Sequence, residues 1–148
     1  MSLDALRLVE HVHGHLGWLA VAILVHPAIV LRKTGRRAHL AVGLSTAILT
    51  LASGIGLFIY VAYRDQLKQR IFQEASSMGL LFERKEHLAF GAVMLTWAGC
   101  IAYVAAMRAP PPLRKTLWTI AFRAYVGAAA LAALVAVLGT LVAVYKSF

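Results

Sequence analysis

Charge is what this chain has least of. Only 14% of its 148 residues are charged, against about 25% in a soluble domain. Cysteine occurs once, as Cys100, which excludes an internal disulfide and a cysteine-rich metal site. In its apolar stretch it reads as a buried small residue. There is no phosphate-binding glycine loop. Ser45, Thr46, Thr50 and Ser53 carry no nucleophile motif and are expected to pack or bond to backbone. Repeats and low-complexity tracts are absent. The N-terminus lacks a basic segment and a small-residue cleavage site, so it does not read as a removable signal.

What fills the chain instead is apolar: 61% of it is hydrophobic. A helix needs about 20 apolar residues to cross a hydrocarbon core roughly 30 Å thick. Four such windows fit, at about 16–31, 39–63, 86–107 and 116–145. The first helix is expected to begin near Ser2 or Leu3, with Ser2 and Asp4 serving its first turn. Pro110, Pro111 and Pro112 close the third span. The expectation is one all-α domain: an integral membrane four-helix bundle, up-down-up-down, with both termini on one side. Glycines and alanines in the spans (Gly43, Gly54, Gly56, Gly91, Gly127, Ala128, Gly139) predict close packing, since helices in lipid approach through small residues. In the 64–85 connection, Leu67, Ile71, Ala75 and Met78 recur at helical spacing against Lys68, Arg70 and Glu74, which predicts an amphipathic helix.

The net charge of +9 is read beside a bilayer, where basic residues set topology and meet anionic lipid; no nucleic-acid partner is expected. The two short turns carry Arg32, Lys33, Arg36, Arg37, Arg108, Arg114 and Lys115 and no acid. All six acids (Asp4, Glu10, Asp65, Glu74, Glu83, Glu86) fall on the side of the termini. The basic turns are therefore expected in the cytoplasm, and both termini outside, in a multi-pass protein of the cell (inner) membrane. Trp18, Trp97, Trp118, Tyr60, Tyr63 and Tyr145 are expected in interfacial belts.

The chemistry-bearing residues are six histidines: His11, His13, His15, His26, His39 and His87. His15 and His26, eleven apart, point the same way about 16 Å apart on one helix. His39 opens the second span near the depth of His26, and His87 opens the third near the depth of His15. Two cross-helix pairs follow, His26 with His39 and His15 with His87. His13 points away from the face of His11, His15 and His26 and is expected to matter least. Phe90 and Met94, one and two turns past His87, are expected in the core or beside it.

Paired histidines toward each face are what two b-type haems need. In architecture, and at His15, His26, His39 and His87, the chain resembles the small four-helix di-haem membrane cytochromes b. That resemblance implies one or two haems b and transmembrane electron transfer, with quinone or another redox partner. Arg123, inside the fourth span, would then meet a haem propionate, or else snorkel to lipid phosphate.

A second expectation is a non-haem iron, zinc or copper site at the outer face. His11 and His15, and Glu83 and His87, have i,i+4 spacing, with Glu10, His13 and Glu86 close by. A cofactor-free assembly subunit is the third expectation. The sequence leaves homo-oligomer formation open.

Overall fold

The computed structural model describes residues 3–146, with α1 at Leu3–Val30, α2 at His39–Tyr63, a π-helical turn at Arg64–Lys68, α3 at Gln69–Glu74, α4 at Ser76–Arg108 and α5 at Pro111–Lys146. Ser2 lies outside the described residues, as do the side chains of Asp4, Leu67, Glu74 and Tyr145. Helices α1, α2, α4 and α5 are each long and apolar enough to cross a membrane.

The breaks follow local chemistry. Gly35 takes the left-handed φ of 84° in the α1–α2 turn, a conformation open to glycine at no steric cost. Ala109, preceding Pro110, is extended, as a residue before proline must be. Pro111 and Pro112 sit in the first turn of α5, where an absent N–H costs nothing. The Arg114 guanidinium donates to the Ala109 carbonyl at 3.2 and 3.0 Å, closing the corner. The α2 helix runs through the π-helical turn into α3 and breaks only at Ala75. The third long helix starts at Ser76, ten residues before the expected 86, because Met78, Gly79 and Phe82 continue its packed stripe.

The core has a seven-residue period. On α1 the inward residues are Leu6, His13, Ala20 and Pro27, with Leu24, and Leu31 follows in the turn. On α2 they are Val42, Leu49, Gly56 and Tyr63, with Ser45, Ala52 and Ile59. On α4 they are Ala92, Gly99 and Ala106, with Thr96 and Tyr103. On α5 they are Trp118, Tyr125 and Ala132, with Ala121 and Ala128. Such heptads bring helices together at shallow left-handed crossings. Alanine or glycine fills many of the slots, so the helices approach closely.

Each helix packs against two others: α1 on α2 and α5, α4 on α2 and α5. This leaves α1 and α4 diagonal. Cross-links fix the antiparallel order. At one end Trp118 Nε1 donates to the Leu31 carbonyl (2.8 Å) and the Ala38 N–H donates to the Tyr103 hydroxyl (2.9 Å). Midway, Thr46 and Tyr125 share a hydrogen bond of 2.9 Å. At the other end Tyr63, Ile71, Phe82 and Val142 form a second core, with Tyr63 and Phe82 stacked at 4.4 Å. Both described chain ends, Leu3 and Lys146, therefore lie at that second end, with α3 packed beneath it.

The α4–α5 seam confirms the small-residue expectation at Gly91, Gly99 and Gly127, whose positions are filled by Leu131, Tyr125 and Leu95. It fails for Gly43 and Gly54, which face outward with open space beside them. A methyl at Gly99 would sit 2.9 Å from the Tyr125 ring, which Thr46 and Val42 hold in place. Gly99→Ala is expected to lower stability by about 1–3 kcal/mol, read as an earlier midpoint in a thermal melt followed by circular dichroism.

Candidate functional site

The end of the bundle that carries the chain ends holds a half-buried histidine, His13, and two half-buried glutamates, Glu10 and Glu86. His13 lies in the α1–α2 seam, half-buried. Its Nδ1 is 3.0 Å from the Ala52 carbonyl. A carbonyl only accepts, so Nδ1 carries a proton. Space for the ring comes from Gly56: a Cβ there would lie 2.7 Å from His13 Cε1.

Further ionisable groups at this end come from three elements. Glu10, one turn before His13, and Glu86 on α4 are half-buried, and both act electrostatically on the buried Tyr63 phenol of α2. Glu86 also feels Lys68, Lys85 and Glu83. At the rim, Lys68 Nζ pairs with Glu83 at 2.8 Å. That hydrogen bond holds the Lys68 ammonium above the ordinary lysine range. Lys85 Nζ lies 4.8 Å over the Phe82 ring. An imidazole and two half-buried carboxylates at one end of the bundle are groups that can take up and release protons.

The histidines expected to matter are placed otherwise. His11, His15, His26, His39 and His87 are all exposed, because the face shared by His11, His15 and His26 turns away from the heptad stripe. The expected pair His15 and His87 is not formed within one chain, since α1 and α4 are diagonal. His26 does not meet His39: the His39 ring leans instead on Tyr103 of α4, edge-on at 5.5 Å, with its Nδ1 3.4 Å from the hydroxyl. His15 and His87 direct Nδ1–H to the carbonyls of His11 and Glu83, at 2.7 and 2.8 Å. Arg123 is exposed on α5. Among the described residues no three His, Cys, Asp or Glu side chains form a metal-holding group. The outer set expected from the sequence is thus divided: His11 and His15 lie on the exposed face of α1 and His87 is exposed on α4, whereas Glu10, Glu83 and Glu86 are half-buried.

The aromatic assignments also shift. Trp118 and Tyr63 are buried at 2% exposure and belong to the core, whereas Trp18 and Trp97 face outward, as belts require. Phe90 and Met94 are exposed and line no interior pocket.

A residue the sequence reading set aside, His13, is thus the histidine aimed into the bundle. Its signal was the seven-residue spacing Leu6, His13, Ala20, Pro27. Comparison with known families, curated proteins and solved structures finds no match.

Proposed function

We propose that this is a multi-pass membrane protein that exchanges protons with a membrane-borne redox carrier at its extracytoplasmic end. The observation that carries this reading is His13, anchored through Nδ1 on the Ala52 carbonyl at the end of the bundle that also holds the half-buried Glu10 and Glu86. Ionisable groups turned into a membrane bundle mark pathways and relays. The apolar outer faces of α1, α2, α4 and α5 suit lipid. The basic turns at 32–37 and 108–115 favour a cytoplasmic side for the opposite end.

Two measurements test it. Alkaline phosphatase fused after Phe148 is expected to be active and a green fluorescent protein fusion dark; the reverse overturns the orientation. Infrared difference spectra of the reconstituted protein, on reducing an added water-soluble quinone, are expected to show imidazole and carboxylate protonation bands. These bands should vanish in His13→Ala, and their persistence there refutes the site.

A second reading keeps haem b. It is favoured by His15 and His87, whose Nδ1–H groups are bound to backbone carbonyls one turn back. That arrangement fixes the ring and leaves Nε2 for a metal. One chain does not bring two of these imidazoles onto a common iron, and the alanine-packed interior offers no slot for the ring. Haem binding by this route requires a second copy to complete the axial pair. A Soret band in the purified protein supports that reading, and its absence after haem-supplemented expression removes it.

A further inference from the structure

His11 and His15 are both exposed on α1, in a helix unbroken from Leu3 to Val30. Residues four apart on a helix share one face, with Cβ atoms about 5–6 Å from each other. Gly14, three residues after His11 on the same side, adds no side chain, and the space around it is open. Arg7, one turn before His11, is exposed and carries its charge out into water on a long stem.

The His15 ring is already oriented. Its Nδ1 lies 2.7 Å from the His11 carbonyl oxygen. The carbonyl accepts, so Nδ1 carries the proton and Nε2 is the atom of that ring left to bind a metal. The same bond ties the His15 ring to the turn that carries His11, which reduces the entropy lost when both rings hold one ion.

The pair also has a defined depth. His15 is the last residue before the apolar run at 16–31. Trp18, on the same face, is 49% exposed, as an aromatic at headgroup level is. Both rings therefore stand where α1 leaves the hydrocarbon, within reach of ions in water.

The donor set selects the ligand. Two histidines at this spacing on one helix face are the pair with which metalloprotease helices hold zinc, at nitrogen–metal distances of about 2.0–2.1 Å. Glu10 and His13, one and two residues from His11, do not share the face. Two imidazoles without a carboxylate favour copper(II), nickel(II) and zinc over magnesium and calcium, which take oxygen. We propose that His11 and His15 form a bidentate chelate for one divalent ion of this transition-metal group, with water in the remaining positions. One chain supplies both rings, so neither proton exchange at His13 nor the second copy that haem requires enters.

Nickel chloride titrated into the untagged full chain in maltoside micelles, followed by calorimetry, is expected to bind at one ion per chain, and magnesium chloride is expected not to bind. His11→Ala and His15→Ala should each weaken nickel binding by about 100-fold or more, because the second ring binds intramolecularly. Both positions are exposed and alanine favours helix, so each variant should keep the circular dichroism of the wild type. His26→Ala removes an exposed histidine of α1 that has no histidine four residues away, and it should leave nickel binding unchanged. Copper(II) is the second probe: it should quench the part of the fluorescence that Trp18→Phe removes. Absence of nickel binding, binding that survives either single substitution in the pair, an equal loss in His26→Ala, or an unquenched Trp18 overturns the chelate. One ion per two chains, lost in both variants, would put the pair of a second copy in place of the water and overturn the single-chain site.

Discussion

Replacing Trp118 with alanine is expected to cost about 3–5 kcal/mol, the largest loss of any single substitution considered. The side chain is buried at 2% exposure. It packs edge-on against Tyr103 at 5.5 Å, and its Nε1 donates to the Leu31 carbonyl, one of the carbonyls that the end of α1 leaves without an intrahelical donor. Tyr103 in turn accepts from the Ala38 N–H, one of the donors left over at the start of α2. Two aromatic side chains thus close both ends of the α1–α2 turn from α4 and α5. Trp118→Phe separates the two contributions. It keeps most of the ring contact and removes the donor, so it should cost only the unmet carbonyl, about 1–3 kcal/mol. The measurement is the unfolding midpoint in a titration of dodecyl sulfate into maltoside micelles, followed by circular dichroism. The expected order is wild type, then phenylalanine, then alanine. Equal midpoints for wild type and phenylalanine would show that water replaces the indole at Leu31.

The same residue shows how far the sequence could be read. Helix existence was legible because apolar length alone sets it, and the prolines at 110–112 marked a boundary that the structure keeps. Rotation of each helix was not legible from the histidines. His11, His15 and His26 share a face, but a shared face does not say whether it turns inward. Heptad spacing does: Ala92, Gly99 and Ala106, or Trp118, Tyr125 and Ala132, are seven apart and all packed inward. In a chain where nearly every residue is apolar, that period is carried by small size rather than by hydrophobicity, so a hydropathy reading misses it. Trp118 and Tyr63 were assigned to belts for the same reason. The direction of each depends on which neighbours are small enough to admit a ring. The early start of α4 was hidden because Glu83, Arg84, Lys85 and Glu86 interrupt the apolar run, while Gly79 and Phe82 keep the packed stripe across the gap.

Gly56→Ala is the substitution that should empty the candidate site without unfolding the protein. The new methyl would lie 2.7 Å from Cε1 at the edge of the His13 ring, and that ring can swing away about its side-chain torsions. The energetic terms nearly cancel. Alanine in place of glycine within a helix gains about 1 kcal/mol, and losing the Nδ1–H bond to Ala52 costs about 0.5–1.5 kcal/mol. Helical content and the dodecyl sulfate midpoint are therefore expected to stay near wild type, in contrast to Gly99→Ala, where Tyr125 is pinned by two hydrogen bonds and cannot yield. Chemistry at the site should change strongly. In wild-type bilayers, ¹⁵N spectra of histidine-labelled protein are expected to show His13 with a hydrogen-bonded proton on Nδ1, because the Ala52 carbonyl accepts it. In Gly56→Ala that signal should give way to a tautomer mixture, and the infrared protonation bands should fall as they do in His13→Ala. A variant that keeps the Nδ1–H signal would mean that the helices part to admit the methyl; the α1–α2 seam would then be softer than its close glycine contact implies, and His13 would stay in place without Gly56. Loss of that signal with full protonation bands would move the working group from His13 to Glu10, Tyr63 or Glu86. Loss of both is the outcome that ties the function of this end of the bundle to one imidazole and the glycine that makes room for it.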